Sequence, residues 1–449
     1  MLWFRRDLRL ADHPALVEAV RLAGEGGEVV ALFVIDPRLW GPAGDNRRAF
    51  LLGCLRALDD TMGGRLVVRH GDPSVVVPDV AREAGARDVV VTGDVGPYGA
   101  RRDDAVAAAL AAEGGALHQV DSPYAMQPGT ILSRSGDPYK VFTPFSRAWR
   151  ARGWPDPIAT PGRVRWASVS SEPLPPPPDV TSRLPQPGEA AARTAADDFV
   201  AHRLEGYEGT RDLPAIDGTS RLSAYLKWGC LHPRQLLARL GDHPAHQAFR
   251  DELCWREFYA DVLHHRPESA RCSLDARMAS MQVDPPHPAD GFAEWCDGRT
   301  GYPIVDAGMR QLRAEGWMHN RVRMLTASFL VKDLHLDWTR GARWFMAQLV
   351  DGDLASNQHG WQWVAGTGTD AAPYFRVFNP VTQGKRFDPR GAYVRRWVPE
   401  LCDVPDRHVH TPWLDPTGPP EGYPPPLVDH AEERREALRR YGEVRAGRS

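Results

Sequence analysis

A carboxylate and two aromatic rings recur at helical spacing in the segment ELCWREFYADVL, residues 252–263. Glu252, Trp255, Arg256 and Tyr259 are one to four positions apart, so a helix would place the acid and both rings on one face. A buried structural face would normally carry leucine or isoleucine at such positions. The pattern therefore favours a binding face over a purely structural one.

A second segment, GTSRLSAYLKWG at 218–229, begins with Gly-Thr-Ser. Two hydroxyls and the N–H groups of a first helical turn, next to Arg221, are groups that hold an anion. A plain helix N-cap explains the same residues, and the sequence leaves both interpretations open.

Two later segments mix polar groups with tryptophan. WMHNRVRMLTASFLVKDLHLDW, residues 317–338, brings four such side chains within a turn and a half of helix: Asn320, Arg321, Arg323 and Met324. DGDLASNQHGWQW, residues 351–363, combines two acids, an asparagine and two tryptophans. No third ligand at a fixed spacing accompanies Asp351 and Asp353, so we predict no metal site.

Together these segments indicate a polar cofactor cradle with aromatic rings on which a flat cofactor or an unstacked base could stack. Core packing would explain any one of the tryptophans alone. It explains the whole set poorly, because acids and amides accompany them.

The elements that must position these residues differ between the two halves of the chain. In the first 120 residues, apolar runs at 2–7, 28–36, 65–72 and 88–94 alternate with helical patterns at 47–61, 73–84 and 100–113. This alternation predicts an α/β, doubly wound parallel sheet whose strand ends bind ligands. No GxGxxG follows the first strand, so a conventional NAD site is not supported.

The remaining sequence predicts two further regions. We expect an α/β domain at 1–130, an interdomain linker at 131–192 and an all-helical domain at 193–449. The linker is rich in proline, with seven between residues 171 and 190. Such a stretch is an extended spacer by composition. For residues 429–449 we predict a charged terminal helix.

The composition excludes several classes of protein. The 449 residues carry a formal net charge of −3, so any DNA affinity requires a local basic patch. No apolar run approaches the roughly 18 residues of a membrane span. The N-terminus MLWFRRDLRL is charged where a signal peptide is apolar. Six cysteines form no CxxC pair, which favours a reduced, cytoplasmic protein.

Several strings resemble the photolyase/cryptochrome family, and most closely its class I branch that acts on cyclobutane pyrimidine dimers. They are WFRRDLRLAD, YKVFTPFSRAW, EGTRDLPAIDGTSRLSAYL, ELCWREFY, TGYPIVDAGMRQL, GWMHNRVRM, DGDLASNQHGWQW and TGTDAAPYFRVFNP. The resemblance runs from residue 2 to about 430. It implies an α/β antenna domain followed by a helical domain that holds FAD in a folded form.

The resemblance also implies the cofactor-binding residues. They are Tyr207, Thr219, Ser220, Arg221, Leu222, Ser223, Arg323, Asp351, Gly352, Asp353 and Asn357. Tyr207 and the 219–223 segment would hold the phosphates, and Asn357 would face the flavin N5. An amide there hydrogen-bonds a protonated, reduced flavin without adding negative charge. We expect Arg323 to pair with Asp351.

The implied activity is blue-light-driven repair of cyclobutane pyrimidine dimers, by electron transfer from reduced FAD to the flipped dimer. The enzyme would be a carbon–carbon lyase and a monomer. Glu252 would hydrogen-bond the dimer and stabilise its radical anion, and the walls of the pocket would be Trp255 and Trp363. Asn320 and Met324 would complete the pocket, where enzymes for the six-four photoproduct place histidines. The residues that would grip DNA phosphates are Arg211, Arg256, Arg321, Arg376 and Gln383.

The chain departs from the family's photoreduction chain of three tryptophans. Trp361 and Trp338 match the first two positions, but Met281 stands where the third is expected. Methionine is a poor substitute for a tryptophan radical. Trp295 or another surface aromatic is the alternative donor, or photoreduction is slow.

The antenna loop TGDVGPYGARRDD has Gly99 near the position of a glutamate in folate-binding members. The loop resembles the EPYGRxRD loop of members that bind 8-hydroxy-5-deazaflavin. This makes Arg47 and Asp94 candidate contacts for that chromophore, with folate less favoured. An antenna pocket that binds nothing is the alternative.

Two other functions compete with repair. A cryptochrome-type blue-light photoreceptor without repair activity is the first, and Asn357, the lesion pocket and the short C-terminus argue against it. A generic flavin oxidoreductase is the second, and it would need no arginine rim. DNA binding that weakens steeply with salt separates repair from the second alternative.

Overall fold

The computed structural model describes residues 1–369 and 375–447. The chain divides into two compact units. Unit 1 comprises residues 1–180, 184–205 and 220–267, and unit 2 comprises residues 181–183, 206–219 and 268–449. The predicted domain limits at 130 and 193 do not coincide with the limits of these units and stay a prediction.

Unit 1 is built on a five-stranded parallel sheet with strand order β3-β2-β1-β4-β5. The strands are β1 (Leu2–Phe4), β2 (Ala31–Ile35), β3 (Leu66–His70), β4 (Asp88–Val91) and β5 (Ala116–Gln119). From β1, the chain first adds β2 and β3 on one side of the sheet and then β4 and β5 on the other. Because crossover connections are right-handed, this reversal puts helices on both faces of the sheet. The predicted doubly wound α/β fold is confirmed.

The register explains why the strands read as continuous apolar runs. Every residue of β1 and β2 is buried. Leu2 pairs with Ala31 and Phe4 with Phe33, which places these strands side by side in the sheet. Because successive residues point to opposite faces and all of them are buried, both faces of these strands are covered. The edge strand β5 was not predicted, because it is half-exposed and has no apolar run. The start of the proline-rich segment lies along the other edge, where Glu172 N–H donates to Val68 O at 2.9 Å.

The helices of unit 1 follow the strands and then form a second group. They are α1 (Pro14–Ala23), α2 (Pro37–Trp40), α3 (Asp45–Thr61), α4 (Pro73–Glu83), α5 (Pro97–Ala112), α6 (Phe142–Arg152) and α7 (Glu189–His202), followed after residue 219 by α9 (Ser223–Trp228), α10 (Pro233–Leu237) and α11 (Pro244–His265). The predicted helices at 47–61, 73–84 and 100–113 correspond to α3, α4 and α5. Helix α1 was not predicted.

In the described residues of unit 2, the regular elements are all helices. Its helices are α8 (Tyr207–Thr210), α12 (Phe292–Asp297), α13 (Pro303–Glu315), α14 (Asn320–Lys332), α15 (Trp338–Gln348), α16 (Leu354–Ala365), α17 (Pro380–Phe387), α18 (Ala392–Trp397) and α19 (His430–Arg445). Short 3-10 turns lie at 267–270, 276–280, 399–401 and 412–414. Helices α12, α13, α14, α15, α16 and α18 all contribute buried residues to one hydrophobic core. In the described ranges, no helix is long and apolar enough to cross a membrane.

Candidate functional site

The carboxyl edge of the sheet in unit 1 carries charged side chains at the point where the strand order reverses. Arg5 follows β1 and Asp94 follows β4, the two strands that flank this reversal. Arg5 donates to Asp103, and Arg102 donates to Asp103 at 2.9 and 3.0 Å and to Asp94 at 3.4 Å. The edge therefore holds a buried network of arginines and aspartates at the usual ligand-binding position of such folds.

Asp94 is an ionised acceptor at this edge. Burial raises its pKa, but the charges of Arg102, Arg6 and Arg5 outweigh burial and bring the pKa below its usual value. A Cβ placed on Gly99 would lie 2.2 Å from the Asp94 carboxyl carbon, so no side chain fits there unless Asp94 moves. The other predicted antenna residue, Arg47, is buried on α3.

The predicted face of α11 is present within the longest helix of unit 1. Trp255 and Tyr259 lie one turn apart with their rings 5.4 Å apart, and both rings are half-buried. Glu252 lies one turn before Trp255, also half-buried. Arg256 is already engaged, because it donates to Pro123 O and Leu226 O at 3.1 Å and lies over the Tyr124 ring.

The 219–223 segment differs from the expected helix start. Helix α9 begins at Ser223, and its N-cap position, Leu222, makes no side-chain capping hydrogen bond. The plain N-cap at Thr219 or Ser220 is therefore wrong. Ser220 instead accepts from Leu222 N–H at 3.4 Å, and Arg221 takes a left-handed φ of 52°. A non-glycine residue in that region stores backbone strain, which is typical of binding loops.

In unit 2, the start of α14 collects the polar residues that the sequence predicted there. Asn320 is the first residue of the helix and is exposed, and His319 caps it by accepting from Arg321 N–H. Arg321 pairs with Asp212 at 2.9 Å and approaches the Met324 sulfur at 3.9 Å. Three of the predicted substrate residues, Asn320, Arg321 and Met324, therefore lie in the first turns of one helix.

The expected pair of Arg323 and Asp351 is present. Arg323 donates to Asp351 Oδ2 at 2.8 Å and to Met318 O at 2.7 Å. The Asp351 side chain is buried, and its Oδ1 has no hydrogen-bond partner within 1–369 and 375–447. A buried carboxylate oxygen is rarely left unpaired, because desolvation then costs about 1–3 kcal/mol. The atom fits a ligand that brings an N–H or O–H donor.

Helix α16 positions the remaining predicted cofactor residues. Asp353 is its N-cap and accepts from Ser356 N–H at 3.1 Å, and the buried Gly352 precedes it. Asn357 lies one turn into the helix and donates through Nδ2 to Ala342 O at 3.1 Å and to Gln358 Oε1 at 2.8 Å. Since both donors of the amide are used, its Oδ1 is left as an acceptor for a ligand N–H. The Asn357 amide oxygen could therefore accept a hydrogen bond from a bound cofactor.

Two tryptophans of unit 2 lie at the predicted electron-transfer positions. Trp361 is 3% exposed and contacts Phe345 and Trp295 edge-on, with ring centres 5.0 and 6.1 Å away. Trp338 begins α15, and Met281 lines a cavity of about 80 Å³ with it. The suggestion that Trp295 is a surface donor is wrong, because its side chain is fully buried and donates to Thr326 O.

The other predicted residues of unit 2 fall at several places. Arg376 lies over the Trp363 ring at 5.8 Å, which joins one predicted phosphate contact to one predicted wall of the pocket. Arg211 lies over the Tyr207 ring at 5.6 Å. Gln383 is on α17, half-buried. Residues 370–374, within the quoted TGTDAAPYFRVFNP string, lie outside the described residues.

Three functional candidates could not be recognised in the sequence. Phe142 stacks on Trp255, Glu257 clamps α6 to α11, and Gly341 makes room for Trp361. A Cβ on Gly341 would lie 2.1 Å from the Trp361 ring. Phe142 belongs to the quoted YKVFTPFSRAW string, but its contact joins residues more than 100 positions apart and leaves no local signal.

Comparisons with known proteins agree with this geometry. Residues 1–162 match the family model described as DNA photolyase, and residues 249–443 match the one described as the FAD binding domain of DNA photolyase. A Streptomyces griseus deoxyribodipyrimidine photo-lyase is 44% identical, over 96% of each chain.

Two solved structures have closely similar folds. A class III photolyase from Agrobacterium tumefaciens superposes with a TM-score of 0.91 at 38% identity, covering 99% of this chain and 97% of that one. A cryptochrome from Synechocystis superposes with a TM-score of 0.89 at 28% identity, covering 98% of each chain. The chain thus contains an FAD-binding domain of the photolyase type, and it belongs to the photolyase/cryptochrome family.

Proposed function

We propose that the protein repairs cyclobutane pyrimidine dimers in DNA under blue light, as a carbon–carbon lyase that uses reduced FAD. The observation that carries this proposal is the amide of Asn357, whose two N–H donors are engaged and whose oxygen is an acceptor. An acceptor that carries no charge favours a protonated, reduced flavin. FAD, when bound, would supply the light absorption and the electron.

The residues of α14 and α16 would hold that cofactor. Asp351 would accept a hydrogen bond from it through the unpaired Oδ1, while Arg323 keeps the carboxylate in place. Thr219, Ser220, Leu222 and Ser223 offer backbone N–H groups and hydroxyls to its phosphates. An Asp351→Asn variant should lose FAD during gel filtration, and co-elution of FAD at the native ratio would argue against this role.

For the substrate, we propose that Glu252 and Trp255 meet the extruded dimer and that the arginines contact phosphates. A flipped dimer is poorly paired and stacked, which lowers the cost of extrusion. Arg256 and Arg321 are engaged inside the protein, so a phosphate would share them with their present partners. DNA affinity should fall steeply with salt. We expect a monomeric, cytoplasmic protein.

We also propose that the sheet edge binds 8-hydroxy-5-deazaflavin as an antenna. The lowered pKa of Asp94 keeps an acceptor charged at the strand ends, and Gly99 has no space for a folate-binding glutamate unless Asp94 moves. An Asp94→Asn variant should retain less of this chromophore than the native protein after dialysis. Equal retention would contradict the assignment.

The test of the main proposal is a repair assay. The protein, reduced with dithionite, is mixed with an oligonucleotide that carries one cyclobutane thymine dimer, and the thymine absorbance is followed under blue light and in the dark. We expect recovery of absorbance in the light only. A photoreceptor without repair activity is the second candidate, favoured by the similarity to the Synechocystis cryptochrome. Bound FAD with no recovery would support it, and the six-four photoproduct is the control lesion.

A further inference from the structure

The indole of Trp255 is covered on one face by a second aromatic ring. The ring centres of Phe142 and Trp255 are 3.7 Å apart and their planes differ by 6°. Such a contact leaves no space for a base between the two rings. Tyr259 lies against the same indole at an angle of 46°, one helical turn further on. The face of Trp255 that Phe142 covers is therefore closed to a flat ligand, and stacking on this indole would have to use the opposite face.

Phe142 is itself held firmly, because α6 is anchored to α11 below it. Trp149 and Glu257 are buried, and the indole N–H of Trp149 donates to the Glu257 carboxylate at 2.7 Å. Glu257 also accepts from Ala125 N–H and Met126 N–H, at 2.5 and 3.1 Å. The buried Phe145, on the same helix, packs against Phe258. These contacts hold the start of α6, and with it the backbone of Phe142, beside α11.

We infer that Phe142 is a positioning residue for lesion recognition, which fixes the plane of Trp255 and restricts base stacking to the face opposite Phe142. The inference rests on the proposed function, because it assigns that opposite face to a base of the extruded dimer. In this role Phe142 would act on the dimer through the Trp255 ring.

The test measures dark binding of an oligonucleotide with one cyclobutane thymine dimer and of the same oligonucleotide without it. Phe142→Leu should weaken lesion binding about fivefold, the value of one aromatic pair. Phe142→Tyr should restore it. Affinity for undamaged DNA and the repair rate at saturating lesion should stay unchanged, since Phe142 would affect DNA binding only by setting the plane of Trp255.

The matched control is Tyr139→Leu. Tyr139 is a half-buried aromatic beside the same helix, and its ring packs edge-on against Phe145. This variant should bind the lesion as the native protein does, with a similar melting temperature to Phe142→Leu.

A double-mutant cycle separates positioning from general stability. In a Trp255→Leu background, Phe142→Leu should change lesion affinity by less than about twofold, because the ring it orients is absent. An equal loss in both backgrounds, or an equal loss for undamaged DNA, would overturn the inference. A native protein that repairs dimers while Phe142→Leu binds them normally would refute this inference alone. A native protein without any lesion preference would refute the proposed function as well.

Discussion

The tryptophan of α11 in unit 1 and the tryptophan of α16 in unit 2 have opposite environments. Trp255 is half-buried, and one of its faces is covered by Phe142. Trp361 is 3% exposed and is enclosed by Phe345, Trp295 and the bare backbone of Gly341. A half-buried ring is suited to stack on a ligand, whereas an enclosed ring is suited to exchange an electron with the rings packed around it. The two environments therefore match the two different tasks proposed for these tryptophans.

The first prediction concerns the enclosed tryptophan and has the largest effect. Trp361→Phe should reduce the photoreduction of bound oxidised FAD to the background rate, because phenylalanine is much harder to oxidise than tryptophan. Lesion affinity in the dark should not change. The measurement is the loss of the flavin's blue absorbance under illumination with a thiol reductant. Photoreduction at the native rate would show that another donor, such as a residue near Met281, supplies the electron.

The second prediction concerns the buried carboxyl group of Glu257, which links α11 to α6. Burial raises the pKa of Glu257 to about 7 and outweighs its hydrogen bonds from Trp149, Ala125 and Met126. The folded state therefore binds a proton that the unfolded state releases above its ordinary pKa of 4.5. Stability should fall by about 3 kcal/mol as the pH rises through this window. In Glu257→Gln, whose side chain does not titrate, this fall should disappear.

Urea unfolding across the same pH range measures this effect, with Glu205→Gln, at an exposed position, as the control. The control should keep the native pH dependence. If the stability of Glu257→Gln also falls as the pH rises, another group binds the proton. Glu257 is then ionised in the folded protein throughout this pH range.

The third prediction concerns the face of Trp255 opposite Phe142. Trp255→Leu should cost about 1–3 kcal/mol of lesion affinity, the value of a base stacked on an aromatic ring. Photoreduction should remain at the native rate. Fluorescence-polarisation titration with damaged and undamaged oligonucleotides measures the first quantity. Equal losses for both oligonucleotides would mean that Trp255 supports the fold rather than the lesion.

The smallest effect is expected at Gly341. An added Cβ would lie 2.1 Å from the Trp361 ring and 2.5 Å from Leu330, so Gly341→Ala must displace a rigid ring. Overpacking costs about 1–3 kcal/mol and the better helix propensity of alanine returns about 1 kcal/mol. The melting temperature should fall slightly and photoreduction should slow. An unchanged melting temperature would mean that α15 and α16 adjust freely. Gly360→Ala, with no neighbouring atom within 4 Å of the added carbon, is the control.

Local sequence patterns were sufficient for four of the five strands and for helices α3, α4 and α5. Buried strands such as β2 are continuous apolar runs, and helices such as α14 start at recognisable polar residues. The edge strand β5 has no such run, because only part of it is buried. The predicted helix start at Gly-Thr-Ser was wrong, because α9 begins at Ser223 and Ser220 accepts from Leu222 N–H within a turn.

The site could be predicted where its contacts follow from charge or from the family resemblance. The pair of Arg323 and Asp351 is one such contact. Phe142, Glu257 and Gly341 could not be predicted, because their roles depend on side chains that are distant in sequence. An apolar ring, a buried acid and a helical glycine carry no sign of their partner. Trp295 was misplaced at the surface for the same reason, since the sequence does not show its burial.

The division of tasks between the two tryptophans is tested most directly by repair with protein reduced in advance. Native protein, Trp361→Phe and Trp255→Leu are each reduced with dithionite in the dark and given limiting dimer-containing oligonucleotide under blue light. We predict native repair by Trp361→Phe, whose flavin needs no recharging, and reduced repair by Trp255→Leu. Loss of repair in the reduced Trp361→Phe protein would contradict this division of tasks. So would repair at the native rate by Trp255→Leu when the oligonucleotide concentration is below the Kd expected for this variant.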